Sequence, residues 1–384
     1  MSLFFITFFT TFALMHLYFF MKLRRCFRLG RTTQILILLN LAILVFSPLF
    51  ARLAVRDVML PWAYILSYTA YTWLAFLFLF CSTALVMDTG GMLLWACRKA
   101  GIVRKKQWKL WRKMRRAPFL IPLFVAAAAC LYGYFEALDI RTETITLASS
   151  KITPAQGRIR IAQITDVHLS PTMQDDRFER IIRAVEKAAP DIIVSTGDLV
   201  DAPPEFLAGR DKRLRALHPR LGKYAICGNH EFYWGLDDAL RFTEDAGFRM
   251  LRGEAVGITD DLIIAGIDDP AGSPFKSYRP VPETKLLSAL KQDRFILFLK
   301  HRPLAEPASV GLFDLQLSGH THKGQIFPFS ILTWVYYPRH AGMLHLLNGS
   351  FLYVSRGSGT WGPPIRLLAP PEVTVIDLVP AAKQ

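Results

Sequence analysis

The chain has 384 residues, 52% of them hydrophobic, and a formal net charge of +15 at pH 7. The positive charge is concentrated, because residues 22–31 carry five Lys or Arg and residues 98–116 carry ten, with no acidic residue in either segment. From residue 117 onward the chain carries 29 basic and 29 acidic residues. Basic segments between apolar runs are typical of membrane topology, so the charge pattern excludes an extended basic face and predicts no nucleic-acid partner.

Cysteine usage limits the chemistry of the C-terminal half. Of the five cysteines, only Cys227 lies in that half. A disulfide framework and a Cys-rich zinc site are therefore excluded there. The length permits two domain-sized units.

Four apolar runs predict membrane-spanning helices at residues 3–21, 33–51, 61–87 and 117–138. Each supplies the roughly 20 apolar residues that a helix needs to cross a bilayer. Positive residues follow the first run rather than precede it, which favours a span over a cleaved signal peptide. We therefore predict a transmembrane region over residues 1–140 and a second domain over residues 141–384.

The two basic segments also predict the orientation of the chain. Segments rich in Lys and Arg stay in the cytoplasm, and two spans separate residues 22–31 from residues 98–116, so both can lie on that side. The N-terminus, the loop 52–60 and everything after about residue 140 are then expected outside the cytoplasm. Segment 98–116 has two interpretations, a basic amphipathic helix on the inner leaflet or a solvated loop.

Residues after 140 alternate between short apolar runs and amphipathic stretches. Thr142–Leu147 has the alternation of a half-buried strand, and residues 175–189 have the spacing of an amphipathic helix. Strands interleaved with helices predict an α/β sandwich, and polar motifs directly after strands predict a ligand site at the carboxyl edge of the sheets. Further strands are predicted at 158–164, 191–195, 223–227, 262–267, 295–299, 314–318, 351–355 and 372–378.

Five polar blocks supply imidazole, carboxylate and amide groups. They are Asp166-Val167-His168, Gly197-Asp198, Gly228-Asn229-His230-Glu231, His301 and Gly319-His320-Thr321-His322. This ligand mix suits Mn, Fe or Zn and disfavours a structural thiolate site. Asp and Asn are individually favoured in turns, so any one of them has a structural interpretation, but the five blocks together point to a metal site. His218, His340 and His345 lie in no motif and are expected at the surface or the rim.

In this order the blocks resemble the calcineurin-like metallophosphoesterase family over about residues 155–325. Residues 356–360 and 363–366 also resemble its branch of membrane-anchored bacterial phosphodiesterases. The resemblance implies a metallophosphoesterase-type αββα sandwich of two mixed sheets flanked by helices. It also implies a hydrolase that cleaves phosphodiester or diphosphate bonds. For a bacterial chain, the spans and the basic segments predict a location in the inner membrane with the catalytic domain in the periplasm.

Residue roles follow from the same resemblance. It implies two divalent metal ions, a metal-bridging hydroxide that attacks phosphorus, His230 as a non-ligand that protonates the leaving oxygen, and Asn229 as both ligand and catalytic group. Glu231 is expected to orient His230. The implied ligands are Asp166, His168 and His322 for the first metal, Asn229, His301 and His320 for the second, and Asp198 as the bridge.

Several alternatives stay open at this point. The substrate could be lipid-linked, as in a UDP-2,3-diacylglucosamine-type pyrophosphatase, although an external domain argues against a cytoplasmic nucleotide. An inactive membrane scaffold or sensor, and a transporter with a regulatory domain, are the functions of other classes, and the oligomeric state is open. Arg302 and Arg356 could bind phosphate or form ordinary salt bridges. Lys323 departs from the Gly-His-Thr-His-Gly-Gly-Gln pattern of the branch, and we expect it to contact a second phosphate.

Overall fold

The structure is a computed structural model that describes residues 2–102 and 116–382. The chain divides into two compact units, Met1–Tyr134 and Phe135–Gln384. Most of the basic segment 98–116 lies outside the described residues. The two interpretations of this segment, a surface helix or a loop, therefore concern residues that the structure does not describe.

Apolar helices build the first unit. Three of them, Phe5–Cys26, Trp62–Lys99 and Ala117–Glu136, are long and apolar enough to cross a membrane, and a bent pair of helices would make a fourth span. The described residues thus contain three of the four predicted spans, or all four if the bent pair is one span. The helices of this part of the chain are Ser2–Cys26, Arg31–Val45, Ser47–Arg56, Trp62–Lys99 and Ala117–Glu136.

Two predicted spans differ from the structure in detail. The predicted span 33–51 is not continuous, because Arg31–Val45 and Ser47–Arg56 meet at a bend of 42°. Pro48 lies in the first turn of the second helix, where its missing N–H is tolerated but the preceding helix cannot continue through it. The helix that contains the predicted span 61–87 continues to Lys99.

Polar side chains in the first unit have partners on neighbouring helices. The Lys22 ammonium forms an ion pair with Asp88, and the Tyr18 hydroxyl donates to the same carboxylate at 2.7 Å. The Trp73 Nε1–H donates to His16 Nε2 at 2.9 Å. Pairing of this kind lowers the cost of polar groups among apolar helices, and it lets the long helix continue past Asp88.

The second unit consists of two six-stranded mixed sheets. In the first sheet only the strands Glu372–Pro380 and Ile159–Ile164 pair antiparallel. In the second sheet only the two outer pairs do, Gly342–His345 with Phe351–Val354 and Glu254–Gly257 with Leu262–Gly266. The first sheet has the order β1-β12-β2-β3-β4-β5, from β1 (Arg141–Ser149), β12 (Glu372–Pro380), β2 (Ile159–Ile164), β3 (Ile192–Ser195), β4 (Lys223–Ala225) and β5 (Arg249–Met250). The second has the order β10-β11-β9-β8-β7-β6, from β10 (Gly342–His345), β11 (Phe351–Val354), β9 (Leu315–Ser318), β8 (Phe295–Leu299), β7 (Leu262–Gly266) and β6 (Glu254–Gly257).

The sheets pack face to face with helices outside them. Ile161 on β2 and Leu297 on β8 belong to one buried cluster between the sheets. The next residue on β2, Ala162, points to the other side and packs on Phe178 and Ile181 of the helix Asp175–Ala188, as the predicted amphipathic face requires. Further helices of this unit are Arg210–Arg215, Asn229–Trp234, Leu236–Asp245, Glu283–Ser288 and Phe329–Tyr336, with short 3-10 turns at Pro204–Phe206, Pro270–Gly272, His322–Gly324 and Leu347–Gly349. The predicted sandwich of two mixed sheets with flanking helices is confirmed.

Strand direction determines where the polar motifs lie. β2, β3 and β4 are mutually parallel in the first sheet, and β8 and β9 are parallel in the second. Each of these strands is followed by one of the five polar blocks. Parallel strands end at the same edge of a sheet, so the blocks meet at the carboxyl edges of both sheets.

Candidate metal centre

The backbone around the predicted ligands is strained. Asp166, His168, Asp198, His320 and His322 all adopt left-handed conformations, with φ between 47° and 70°. A residue other than glycine in this conformation costs on the order of 1 kcal/mol of folding free energy. Such conformations cluster at functional sites. Tight turns rather than the alternation of a strand therefore bring the side chains of Asp166 and His168 together.

Two glycines allow these turns to pack closely. A Cβ on Gly319 would lie 2.1 Å from Asp166 Oδ2, and one on Gly197, whose φ is +95°, would lie 2.5 Å from the backbone nitrogen of Gly228. The first approach lets the His320 N–H donate to Asp166 Oδ2 at 2.9 Å. Gly319 is thus required by the close contact between loops of the two sheets, and Gly197 by the close contact between neighbouring loops of the first sheet.

The first group of predicted ligands converges on one point. His168 Nε2 lies 3.0 Å from His322 Nε2, and His322 Nε2 lies 3.4 Å from Asp166 Oδ1. All three side chains are buried. Asp166, His168 and His322 offer one ligand atom each within 4.8 Å of one another. Imidazole nitrogens in such an arrangement are positioned to bind a divalent metal.

The second group lies beside the first and shares Asp198 with it. His301 Nε2 lies 3.1 Å from His320 Nδ1 and 3.2 Å from Asp198 Oδ2. The same Oδ2 lies 3.8 Å from His168 Nε2. Asp198 Oδ2 therefore stands between imidazoles of both groups, where a bridging carboxylate would be needed. His301, for which the sequence offered only its place after a strand, lies at the centre of this group.

Asn229 provides a further sign that the site holds a cation. Its side chain is buried, yet its Oδ1 accepts no hydrogen bond from any described residue. A buried carbonyl oxygen without a donor costs on the order of 1–3 kcal/mol, and a metal ion would satisfy it. The donor set of imidazole, carboxylate and amide oxygen fits divalent metals such as Mn, Fe or Zn.

Burial and neighbouring charge set the protonation of these groups. Burial raises the pKa of Asp198, but the surrounding imidazoles, His301 first, outweigh it and bring that pKa well below its usual value. Burial lowers the pKa of His301, and the Asp198 carboxylate reverses this and raises it to about 10. For His320, burial and the charge of His301 lower the pKa to about 3. Burial and the Arg366 guanidinium likewise lower the pKa of His322, so both of these imidazoles are neutral and able to bind metal.

His230 is held by a carboxylate that the sequence analysis missed. Its Nδ1 lies 2.5 Å from Asp201 Oδ1, and the other oxygen of Asp201 lies 3.2 Å from His168 Nδ1. Burial lowers the pKa of His230, but Asp201 and Asp198 outweigh it and raise the pKa to about 9. Asp201 stands three residues after Asp198 in an ordinary polar turn, and the turn gives no signal that this carboxylate faces two histidines.

Glu231 has a different place from the one expected. It accepts hydrogen bonds from four backbone N–H groups, those of Asp198, Leu199, Val200 and Gly228, at 2.7–3.1 Å. It therefore holds the loop that carries Asp198, and the expectation that it orients His230 is wrong. The His230 N–H in turn donates to Asp198 Oδ1 at 2.9 Å, which ties the two motifs together.

Three arginines near the site are engaged in the protein itself. Arg302 donates two hydrogen bonds to Asp269 at 2.8 and 2.9 Å, and Arg356 pairs with Glu143 and Glu372. The salt-bridge interpretation of Arg302 and Arg356 is therefore the one that the structure supports. Arg366 is fully buried, and its Nη2 lies 3.1 Å from His322 Nδ1. Arg366 contacts the Nδ1 side of the His322 ring, so that the Nε2 side of the ring faces the metal site.

The remaining polar residues lie outside the cluster. His218 and His345 are exposed, and His340 is partly exposed and approaches the site only through its backbone carbonyl, which accepts from Thr321 Oγ1 at 2.7 Å. Lys323 adopts φ 52°, a conformation that favours the glycine expected there.

Comparisons with known proteins agree with this geometry. Residues 159–324 match the family model of calcineurin-like phosphoesterases. A protein of Aquifex aeolicus described as an uncharacterized metallophosphoesterase is 39% identical over 258 residues, which are 67% of this chain and 98% of that protein. An uncharacterized metallophosphoesterase of Bacillus subtilis is 33% identical over 70% of this chain and 98% of its own length. A Bos taurus transmembrane protein with a metallophosphoesterase domain is 29% identical over 82% of this chain and 74% of that protein.

The family-model match over residues 159–324 includes all five polar blocks, and the two bacterial relatives match over nearly their whole length. Apolar helices and a transmembrane relative indicate a membrane protein. The His and Asp residues are positioned to bind divalent metals. The chain therefore belongs to the calcineurin-like metallophosphoesterase family and is a phosphoric ester hydrolase by family.

Proposed function

We propose that this protein is a membrane-anchored phosphodiesterase that binds two divalent metal ions. Asp166, His168 and His322 would hold one ion, Asn229, His301 and His320 the other, and Asp198 would bridge them. The observation that carries this proposal is the pair of adjacent ligand groups around Asp198, with the unpartnered Oδ1 of Asn229 beside them.

Bound divalent ions supply Lewis acidity, which activates water and stabilises charge on phosphoryl oxygens. The chain contributes the proton. Asp201 accepts from Nδ1 of His230, which leaves the proton on Nε2 free to go to the leaving oxygen. The raised pKa of His230, about 9, keeps this proton on the ring at neutral pH.

The charge around the site favours a diester over a monoester. Arg302 and Arg356 are neutralised by carboxylates, so neither offers an uncompensated positive charge to a phosphate. A phosphomonoester dianion brings one more negative charge than a diester, and its binding requires more positive charge. We therefore assign diester cleavage as the reaction, with diphosphate cleavage as the alternative that the resemblance to the family implies.

The expected location of the phosphoesterase unit follows from the two basic segments, residues 22–31 and 98–116. Their Lys and Arg residues favour a cytoplasmic location for both segments. The phosphoesterase unit would then lie outside the cytoplasm, in the periplasm of a cell with two membranes. A substrate on that side would be a phosphodiester or lipid diphosphate rather than a cytoplasmic nucleotide-linked lipid.

The test is hydrolysis of bis-p-nitrophenyl phosphate beside p-nitrophenyl phosphate by the full-length protein in nanodiscs. Activity should vanish in chelator and return with Mn, Zn or Mg. His230→Ala should lower turnover by about 10²–10⁴-fold, as loss of a proton donor does. Asn229→Ala should lower it and raise the metal concentration needed.

His218→Ala is the matched control, because His218 is an exposed histidine of the same unit outside the cluster. Its activity should equal that of the unsubstituted protein. Turnover that persists in chelator, or that His230→Ala leaves intact, would contradict the proposal. A preference for the monoester would contradict the assignment of diester cleavage.

A further inference from the structure

A short apolar helix lies exposed at the surface of the phosphoesterase unit. This helix, Phe329–Tyr336, has no buried residue, and it follows the motif that carries His320 and His322 by only a few residues. Its six large apolar or aromatic side chains are exposed, while Ser330 and Thr333 on the remaining side are partly buried. A helix with this much apolar surface belongs in a protein core or in a membrane, yet its large side chains are exposed.

Three further apolar residues extend this surface. Phe327 N–H donates to the Leu367 carbonyl at 3.1 Å, which places exposed Leu368 beside the start of the helix. The Gln325 amide binds the backbone of Trp361, which is also exposed. We call Phe329–Tyr336 together with Phe327, Trp361 and Leu368 the apolar rim. The exposed large side chains of the rim are 43–77% accessible, namely Phe327, Phe329, Ile331, Leu332, Trp334, Val335, Tyr336, Trp361 and Leu368.

The rim is continuous with the point where the last candidate span ends. That span is Ala117–Glu136, and its final residue, Glu136, clusters with the phosphoesterase unit. Glu136 Oε2 accepts a hydrogen bond from the Leu368 N–H at 2.8 Å. A residue that ends a membrane span lies near the bilayer surface, so Leu368 and the adjoining rim lie near that surface too.

The rim also borders the metal site. The Trp361 ring contacts the His230 ring edge to face, with centroids 5.7 Å apart. Tyr337, the residue after the helix, contacts His320 in the same way at 5.5 Å. The rim therefore reaches the two sides of the site, His230 on one and the second ligand group on the other.

We propose that the apolar rim inserts into the interfacial layer of the lipid bilayer and so brings the mouth of the metal site to the phosphate-containing head groups. Aromatic residues such as Trp334, Tyr336 and Trp361 suit this layer, because their rings are apolar and their polar tips meet water. Exposed Arg339, just beyond the helix, adds attraction to anionic head groups. A second copy of the chain is the rival occupant, but the hydrogen bond to the end of the span favours the membrane.

The test measures how deep the rim lies in the bilayer. In nanodiscs, the full-length protein with Leu332→Cys is labelled with an environment-sensitive fluorophore, and quenching by phosphatidylcholine that carries a nitroxide on its acyl chain is recorded. Arg183→Cys is the control, since Arg183 is exposed on the helix Asp175–Ala188, which packs against the first sheet. Labelling of the unsubstituted protein gives the background from native cysteines.

We expect the Leu332 probe to be quenched several-fold more than the Arg183 probe, with blue-shifted emission. Equal quenching at the two positions, with emission typical of water, would overturn the inference. A Leu332 probe that is shielded from aqueous iodide yet not quenched by lipid, in a protein that dimerises, would overturn it in favour of a second copy.

A second variant separates this inference from the proposed reaction. Leu332→Glu with Val335→Glu removes the rim's affinity for lipid without touching any predicted ligand. Hydrolysis of bis-p-nitrophenyl phosphate should stay within about twofold of the unsubstituted protein, which also shows that the fold is intact. If the unsubstituted protein hydrolyses no phosphodiester, the proposed reaction fails, while the quenching experiment still decides the position of the rim.

Discussion

Asp201 offers the sharpest test of how this site controls protonation. Asp201→Asn keeps the size of the side chain and an oxygen that accepts from His230 Nδ1, but it removes the negative charge. That charge is the largest influence that raises the pKa of His230 to about 9 against burial. We expect the pKa to fall toward the ordinary value of about 6.5.

The size of the effect follows from the two pKa values. At pH 8 an imidazole with a pKa of about 9 is about 90% protonated, and one with a pKa of about 6.5 is about 3% protonated. If His230 must donate a proton, turnover at pH 8 should fall by up to about 30-fold, in addition to any loss that does not depend on pH. At pH 6 both rings are mostly protonated, so the pH-dependent part should be under about twofold.

The assay is the pH profile of kcat for bis-p-nitrophenyl phosphate with saturating metal, from pH 5.5 to 9.5. Bound metals repel a protonated His230 equally in both proteins, so the difference between the profiles reports Asp201. In Asp201→Asn the alkaline decline should begin at lower pH. The double variant with His230→Ala should be no slower than His230→Ala alone. An alkaline decline at the same pH in both proteins would refute the reasoning.

Four further predictions concern residues around the site. Glu231→Gln should cost about 3 kcal/mol, since four backbone N–H groups lose a charged acceptor, and lower the melting temperature by several degrees; an unchanged melting temperature would contradict this role. Asn229→Ala should change the melting temperature little in chelator, because Oδ1 has no donor among the described residues, but should reduce the rise on adding Mn; an equal loss in both conditions would argue against a ligand. Metal binding at pH 7 should release a proton from His301, whose pKa is about 10, so the affinity for metal should increase with pH. Calorimetry in two buffers of different ionisation enthalpy measures the number of protons released, and a value of zero would contradict this prediction. Lys323→Ala should raise KM for a diphosphate diester several-fold and leave bis-p-nitrophenyl phosphate unaffected; unchanged kinetics on the diphosphate would sink that contact.

Local patterns in the sequence were sufficient for most of the architecture. Apolar runs of about 20 residues predict membrane helices, and short apolar runs ended by polar turns predict β2, β3, β8 and β9. The strands that were not predicted, β5, β6 and β10, are short and lie at or near sheet edges, where burial imposes little pattern on the sequence. The break near Pro48 was missed because mean hydropathy does not register a bend.

The metal site, too, was predicted in part from the sequence, while other parts of it became visible only in the structure. Its ligand types and their order are properties of the sequence, because metal chemistry restricts the residue types and the turns after strands restrict their spacing. Asp201 and Arg366 act on histidines that are far from them in the chain, at least 29 residues for Asp201 and His230 and 44 for Arg366 and His322. No local pattern encodes such a contact.

The sequence by itself determined the membrane helices, the alternation of strands and helices, and the set of residues able to bind metal. Only the tertiary structure decided which carboxylate binds which histidine, that Glu231 supports a loop rather than His230, and that an apolar helix is exposed beside the site. The physical reason is that hydropathy and turn chemistry act between neighbours in the chain, whereas charge pairing and burial depend on which loops the two sheets bring together.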